Sequence, residues 1–283
     1  MVKGLTQALA VAALGLCAVS APALAADAGD NVAQFGWLHL MPMSDSTPLH
    51  TELKPSLIGT LAGVQSSFDS PGTSAKVDSA DTAALITTHF FTSHMAVQVV
   101  SGVPAQVSIE GKGKVAPTGL LGNFINVDLG AAANNPLVSV CEWTPVLLLQ
   151  YYFGQPHAKL HPYVGVGISY AWFSDFDING EFKNQLESSF GRVLALATGH
   201  TGQTTVSASA SRSWNGVFNA GLSYDLSRHW GVAGSITYAP LSSTAHIDIH
   251  AADGTLLSSS NTRLSQDALI TAVLVNYRFR SLW

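Results

Sequence analysis

The stretch HIDIH contains three residues whose types and spacing could bind a transition metal. His246, Asp248 and His250 alternate with isoleucines, so on an extended strand all three point to one face. Two imidazoles and one carboxylate are ligands that zinc and copper accept. In an extracellular loop, however, such a trio is more often a solvated surface. The sequence therefore offers only a weak metal candidate, and it predicts no cofactor.

Catalytic motifs are absent from the sequence. It contains no G-x-S-x-G nucleophile elbow, no phosphate-binding P-loop and no H-E-x-x-H zinc motif. Serine and histidine are plentiful in the long connections, but the sequence pairs none of them with a carboxylate. We therefore predict that the protein is not an enzyme, and a lipid-modifying barrel enzyme is the less favoured alternative.

The elements that must position any site are short strands. In LHPYVGVGISYAW, residues 160–172, Val164, Val166 and Ile168 alternate with glycine, and this period of two indicates a strand with two unlike faces. Seven further segments have strand-like patterns, each with about the nine to eleven residues that a tilted membrane strand needs. The eight predicted strands are residues 31–42, 82–91, 94–102, 143–153, 161–173, 214–226, 229–240 and 268–279.

Short and long connections alternate between these strands. The second, fourth and sixth connections are short, whereas residues 43–81, 103–142, 174–213 and 241–267 are long. Bacterial outer-membrane barrels have this arrangement, with turns facing the periplasm and loops facing outward. The predicted fold is therefore all-β, an eight-stranded antiparallel transmembrane β-barrel with short periplasmic turns and long extracellular loops. Apolar residues four apart within residues 180–197 predict a short helix in the third loop.

The composition agrees with an exported membrane protein. Only 11% of the 283 residues are charged, against roughly 25% in soluble domains, and 47% are apolar. Residues 1–25 combine Lys3, an apolar stretch and a small-residue site, which predicts a cleaved secretory signal followed by a barrel over residues 26–283. A lipoprotein signal ending at Cys17 is the alternative. The mature chain is mildly acidic, so nucleic acid is not an expected partner.

The two faces of the predicted strands differ in a way that assigns one to lipid and the other to the lumen. One face carries aliphatic rows that begin and end with aromatics, as from Trp143 to Phe153 and from Trp230 to Tyr238. Tryptophan and tyrosine at both ends of such a row suit the two interfaces of a bilayer. The opposite faces carry small residues with almost no lysine or glutamate, which suits the crowded interior of a small barrel. The lipid bilayer of the outer membrane is therefore the predicted partner of the apolar rows.

Several segments together resemble one known family. HMAVQVVSGVP, LLLQYYF, LHPYVGVGISY, SRHWGVAGSITY and the closing VNYRF are similar to motifs of the OmpW family of outer-membrane proteins, in the family's order. The resemblance implies an eight-stranded barrel with a largely apolar inner channel that admits small hydrophobic molecules and releases them sideways into the membrane. The family usually ends at its terminal aromatic, whereas this chain continues with RSLW after Phe279. The outer-membrane assembly machinery is the expected partner in folding.

Membrane depth separates the predicted inward residues into two groups. Apolar side chains lie toward the outside and polar side chains toward the periplasm. An apolar upper lumen above a polar floor accepts a hydrophobic solute but obstructs its straight passage, because the polar zone offers it no partners. The predicted apolar lining is Leu38, Leu40, Leu148, Val217, Ile270 and Leu274. The predicted floor is Gln34, Gln150, Asn276 and Arg278, with Asp225 in the same polar network.

Two prolines mark places where the barrel wall could open. Pro145 and Pro240 cannot donate a ladder hydrogen bond, so each is a candidate for a lateral break, although strand ends are the commoner reason for proline. The sequence and the resemblance together predict an outer-membrane channel for passive uptake of small hydrophobic molecules. The alternative is a surface adhesion or structural barrel that acts through its extracellular loops. Neither the solute nor the oligomeric state follows from the sequence.

Overall fold

A computed structural model describes residues 27–54, 66–115, 127–155 and 158–280. The predicted signal and the last three residues of RSLW lie outside the described residues. The strands in the described part, in chain order, are β1 (Asp30–Pro42), β2 (Leu49–Leu53), β3 (Ser67–Ser70), β4 (Ser74–Val77), β5 (Ala80–Phe90), β6 (Met95–Gly102), β7 (Ala105–Lys112), β8 (Lys114–Val115), β9 (Val127–Asp128), β10 (Val138–Trp143), β11 (Val146–Tyr152), β12 (Leu160–Ile178), β13 (Thr205–Ala210), β14 (Ser213–Asp225), β15 (Trp230–His250) and β16 (Leu256–Arg280).

Eight of these strands close into a barrel. The order around the ring is β1, β5, β6, β11, β12, β14, β15 and β16, which pairs back with β1, and every pair is antiparallel. Each predicted strand corresponds to one strand of the ring, so the predicted fold class is confirmed. A closed ring gives every strand a partner on both sides, which the hydrocarbon core of a bilayer requires because it contains no water.

Side-chain exposure along the ring strands has the period of two that the sequence shows. On β11, Leu147 and Leu149 are 47% and 43% exposed, whereas Leu148 between them is 2% exposed. Aromatic side chains border this outward apolar belt, and the rings of Trp143 and Trp172 stack with their centroids 5.7 Å apart. A continuous exposed apolar surface of this kind is stable in lipid and rare on soluble monomers.

The sheet continues well beyond the height of the membrane. β15 has 21 residues and β16 has 25, whereas a tilted strand crosses a bilayer with about nine to eleven. β13 pairs with the upper part of β15, and β2 pairs with the upper part of β16. Much of the long extracellular connections is therefore an extension of the barrel wall.

The third long connection contains the predicted helix. It consists of α1 (Gly180–Gln185), a π-helical turn (Leu186–Gly191) and α2 (Arg192–Ala197). The Asn179 side-chain oxygen accepts hydrogen bonds from the backbone N–H groups of Glu181 and Phe182, at 2.9 and 3.2 Å, and so begins the helix. Among the described residues, no helix is long and apolar enough to cross a membrane.

The helical segment covers the extracellular mouth of the barrel. Phe182, Leu186 and Phe190, which the sequence places four apart, are all buried. They belong to an apolar cluster with residues of the wall extension, including Ile249 of β15 and Leu257 of β16. Packing of one helix face on the wall therefore holds the segment in place.

Insertion of an epitope tag tests the orientation. A tag after Gly254, in the exposed turn between β15 and β16, should bind antibody on intact cells, because this turn lies at the extracellular end of the two longest strands. A tag after Ser93, in the turn between β5 and β6, should bind only after the outer membrane is permeabilised. A heat-dependent gel shift controls for folding of both variants. The reverse labelling would contradict the orientation.

Candidate functional site

An apolar cavity of about 320 Å³ lies inside the upper half of the barrel. This volume accommodates a small organic molecule. Leu148, Val217 and Leu274 are almost fully buried in its wall. All six residues of the predicted apolar lining contribute to it: Leu38, Leu40, Leu148, Val217, Ile270 and Leu274. Their part in transport stays a prediction.

A chain of side-chain amides crosses the barrel below this cavity. Gln34 donates to the Asn276 side-chain oxygen at 2.8 Å, and Gln98 donates to the Gln34 side-chain oxygen at 2.9 Å. Gln150 donates to the side-chain oxygens of Gln98 and Asn219, both at 3.0 Å. All five residues are nearly buried. The amides of β1, β6, β11, β14 and β16 thus satisfy one another across the lumen, as buried polar groups must.

A layer of aromatic rings adds to the closure of the barrel on the periplasmic side. The ring of Tyr152 lies with its centroid 4.9 Å from those of both Phe90 and Tyr163, and its hydroxyl donates to the Gln150 side-chain oxygen at 3.0 Å. A Cβ on Gly221 would collide with the Tyr163 ring. This explains one of the inward glycines, because its lack of a side chain admits a large ring from the neighbouring strand.

The polar floor also contains a buried ion pair. Arg278 donates to both side-chain oxygens of Asp225, at 3.1 and 3.0 Å, and His161 Nε2 lies 3.7 Å from Asp225 Oδ2. The space around this pair has a volume of about 30 Å³, far smaller than the apolar cavity of about 320 Å³. Gln34 and Asn276 line the same space, so the ion pair adjoins the amide chain.

The barrel wall has a break beside Pro145. The β6–β11 ladder runs up to Val100, opposite Val146, and the β7–β10 ladder begins at Ala105, opposite Glu142. In the described ladders, residues 101–104 and 143–145 have no pairing with each other, and we name this break the β6/β11 gap. The apolar cavity extends to it, since Gly102, Val103, Pro104, Trp143, Thr144 and Pro145 line the cavity.

Pro240 lies on the opposite side of the ring. Its ladder with β16 is continuous, and it pairs there with Asp267. The β14–β15 ladder, in contrast, ends at Phe218 and Tyr238, two residues before Pro240. Each of the two predicted prolines therefore lies where the pairing with one neighbouring strand stops. Solute release at either proline stays a prediction.

A second, smaller apolar cavity lies above the first, under the helical segment. Its volume is about 80 Å³, and Phe176, Phe182, Leu186 and Ile249 are among its lining residues. A cluster of buried aliphatic residues from β4, β5, β7 and β10, including Val77 and Val107, lies between the two cavities and has Leu40 packed against it. Apolar side chains therefore line most of the interior from the extracellular mouth to the polar floor, with Glu142 as a buried carboxylate in the wall of the main cavity.

The HIDIH trio is not gathered into a metal site. His246, Asp248 and His250 follow one another along β15, opposite Asn261, Ser259 and Leu256 of β16. Same-face residues of one strand are about 6.8 Å apart and project in parallel, whereas zinc needs ligands that converge to about 2 Å from the metal. Over the described parts of the chain, no group of three or more His, Cys, Asp or Glu could hold a metal ion.

Several residues of the site escaped the sequence reasoning. Gln98 and Asn219 join the floor, and both could have been found, because each lies on the inward side of its strand between small or apolar neighbours. Tyr152 and Tyr163 face inward with them. The segment Gly102–Pro104 at the β6/β11 gap had a weaker signal, the sequence GVP directly after a strand.

The closed antiparallel ring, the outward apolar belt and the closed polar floor define an outer-membrane β-barrel. The profile of the OmpW family matches residues 58–279, and the chain belongs to this family. Its place is therefore the bacterial outer membrane, as the names of its relatives also state.

Comparison with individual proteins supports the same family. The chain is 30% identical over 118 residues to outer membrane protein W of Salmonella typhimurium, covering 42% of this chain and 47% of that protein. It is 28% identical over 152 residues to outer membrane protein AlkL of Ectopseudomonas oleovorans, covering 54% and 48%. The chain thus spans about half the length of these curated relatives. The crystal structure of OprG from Pseudomonas aeruginosa matches with a TM-score of 0.62 at 21% identity, covering 90% of this chain and 98% of OprG, which is a likeness of fold.

Proposed function

We propose that the protein is a passive channel for small hydrophobic molecules in the outer membrane and that it catalyses no reaction. The observation that carries the proposal is the apolar cavity of about 320 Å³, which meets a hydrogen-bonded floor below and a break in the wall at its side. The resemblance to the OmpW family supports the same function. The proposed partners are the bilayer lipid, the hydrophobic solute and, for folding, the outer-membrane assembly machinery.

The chemistry of the lining favours an apolar solute. Burial of apolar surface contributes about 25 cal/mol per Å², so a small hydrocarbon is stabilised in the cavity relative to water. Passage straight down would separate the amides of Gln34, Gln98 and Gln150 from one another. Each buried polar group left without a partner costs about 1–3 kcal/mol, and a hydrocarbon supplies no replacement. The solute is therefore held above the floor.

The β6/β11 gap offers this solute a way into the membrane. The rim carries Pro104, Trp143 and Pro145, of which Trp143 and Pro145 are exposed on the lipid side. The buried carboxylate of Glu142, next to the rim, accepts a hydrogen bond from the Thr144 hydroxyl at 3.0 Å. Because the remaining rim is largely apolar, the solute exchanges one apolar environment for another when it moves sideways into lipid.

Reconstitution into lipid vesicles tests the proposal. With protein present, a small apolar fluorescent probe added outside should reach an internal acceptor faster than in protein-free vesicles. The ionic conductance of the same membranes should stay near that of the bare bilayer, because the amide floor and the Asp225–Arg278 pair obstruct a water-filled path. Probe transfer equal to that of protein-free vesicles would contradict the proposal and favour adhesion through the extracellular extension. A steady ionic current without probe transfer would indicate a water-filled pore.

A further inference from the structure

The barrel wall has a second interruption, between β14 and β15. The lower ladder pairs these strands up to Phe218 and Tyr238. Above it β13 takes over, with Ala210 opposite Ala245 and with the Ser211 N–H donating to the Thr244 carbonyl at 2.9 Å. If the register of the lower ladder continued upward, Ser211 would lie opposite Ala245. Because Ala210 lies opposite Ala245 instead, the registers of the two ladders differ by one residue. Among the described pairs, none joins residues 212–217 to residues 239–243, and we name this stretch the β14/β15 seam.

Pro240 lies in the seam with its nitrogen toward β14. Its partner on the other side, Asp267, uses its carbonyl to accept from the Met43 N–H at 3.1 Å, on the far side of β16. Pro240 and Asp267 are therefore a non-hydrogen-bonded pair, so the backbone nitrogen of Pro240 is directed at β14. Thr244 lies an even number of residues after Pro240 on β15, so its carbonyl is also directed at the β14 side. The hydrogen bond that this carbonyl accepts from the Ser211 N–H shows this direction. Proline has no N–H to donate, so it removes a donor from the seam itself.

The lower part of the seam, next to the main cavity, is apolar on both faces, whereas polar residues such as Arg212, Asn215 and Ser243 lie in its upper part. On the lumen side Val217, Ala239 and Leu241 are buried, pack in one cluster and line the main cavity. On the lipid side Trp214 is 69% exposed. Among the described residues, no heavy atom other than those of its chain neighbours lies within 4 Å of the position that a Cβ on Gly216 would take. The lower part of the seam is thus closed by apolar side-chain contacts that an apolar molecule can replace.

We propose that the β14/β15 seam is a second lateral exit from the cavity, separated from the β6/β11 gap by β11, β12 and β14. Parting two strands elsewhere in the ring breaks ladder bonds, and each unsatisfied backbone group in hydrocarbon costs several kcal/mol. Within the seam no ladder pair joins the two strands, so parting its lower part displaces mainly the side chains of Val217 and Leu241. The proposal rests on the proposed function, since an exit needs a solute.

Chemical linking of the strands tests the second exit. In a background with Cys17 and Cys141 replaced by serine, paired cysteines on outward-facing positions are joined with a short bismaleimide. The seam pair is Gly216→Cys with Ser242→Cys, which keeps Pro240, and the gap pair is Ser101→Cys with Pro145→Cys. The control pair is Ala220→Cys with Ile236→Cys, which links the same two strands where they are already paired. Transfer of the apolar probe is measured in vesicles before and after linking.

If the solute leaves by two exits in parallel, linking them singly and together should give a specific set of results. Linking the gap should remove only part of the probe transfer, linking the seam should remove another part, and linking both should abolish it. Linking the control pair should change nothing. Complete loss after linking the gap alone, with no effect of the seam link, would overturn the second exit and leave the proposed function standing. Probe transfer that survives both links would overturn it as well. If the unlinked, folded proteins transfer no probe, the proposed function itself fails.

Discussion

Replacement of Leu274 by aspartate is expected to abolish most of the probe transfer while the barrel still folds. Leu274 lies in the cavity wall, is 2% exposed and packs with Ile86 and Ala272. A carboxylate there either stays without water or draws water into the cavity, and both disfavour an apolar solute. Loss of solvation costs even an uncharged polar group about 1–3 kcal/mol on protein scales, and an ionised carboxylate more, so occupancy should fall by at least about 5-fold to 150-fold.

Three variants make this test specific to charge. Leu148→Asp introduces the same carboxylate on β11, across the cavity, and should have a similar effect. Leu274→Met keeps an apolar side chain of similar volume and should transfer the probe at the wild-type rate. The heat-shifted band reports folding of all three. If the correctly folded Leu274→Asp and Leu148→Asp variants transferred the probe at the wild-type rate, the lumen would not be the transport path. Functions that depend on the extracellular extension would then remain.

The inner lining was predictable because a strand allows only two directions for a side chain. Once Leu147 and Leu149 are assigned to lipid by their aromatic neighbours, Leu148 and Gln150 must face the lumen, and the structure has them there. The partners of Gln150 were not predictable. Its hydrogen bonds to Gln98 and Asn219 join strands far apart in the chain, and they depend on the stagger of the whole ring.

The orientation of the prolines was likewise not predictable from the sequence. The sequence shows that Pro240 lacks an N–H, but the strand toward which its nitrogen points depends on the register of β15 with β16 and with β14. Likewise, the spacing in HIDIH shows a common face without showing whether the side chains converge. The extracellular wall was harder to predict for a different reason: on strands such as β13, with the sequence TVSASA, the apolar row is only Val206, Ala208 and Ala210, without the bordering aromatics of the membrane-spanning strands.

Loss of one partner of the buried ion pair in the floor is expected to destabilise the barrel more than loss of both. The side chains of Asp225 and Arg278 are 7% and 15% exposed. Removal of one partner from such a pair typically costs about 3–5 kcal/mol, because the other charge stays buried, whereas replacement of both by apolar residues is often neutral. We expect about 3 kcal/mol for Arg278→Leu, because His161 still lies 3.7 Å from the Asp225 carboxylate. We expect more for Asp225→Leu, which removes the acidic neighbour of both Arg278 and His161.

A double-mutant cycle in lipid vesicles measures this coupling from the free energies of unfolding in urea. The sum of the single-variant losses should exceed the loss in Asp225→Leu/Arg278→Leu, because the double variant removes both buried charges of the pair together. Asp27→Leu is the matched control, since Asp27 contacts Arg280 at 3.1 Å at the exposed periplasmic end and its removal should have a much smaller effect. Additive losses would mean that the two residues stabilise the barrel separately. The floor would then owe its closure to the amide chain and the rings of Phe90, Tyr152 and Tyr163.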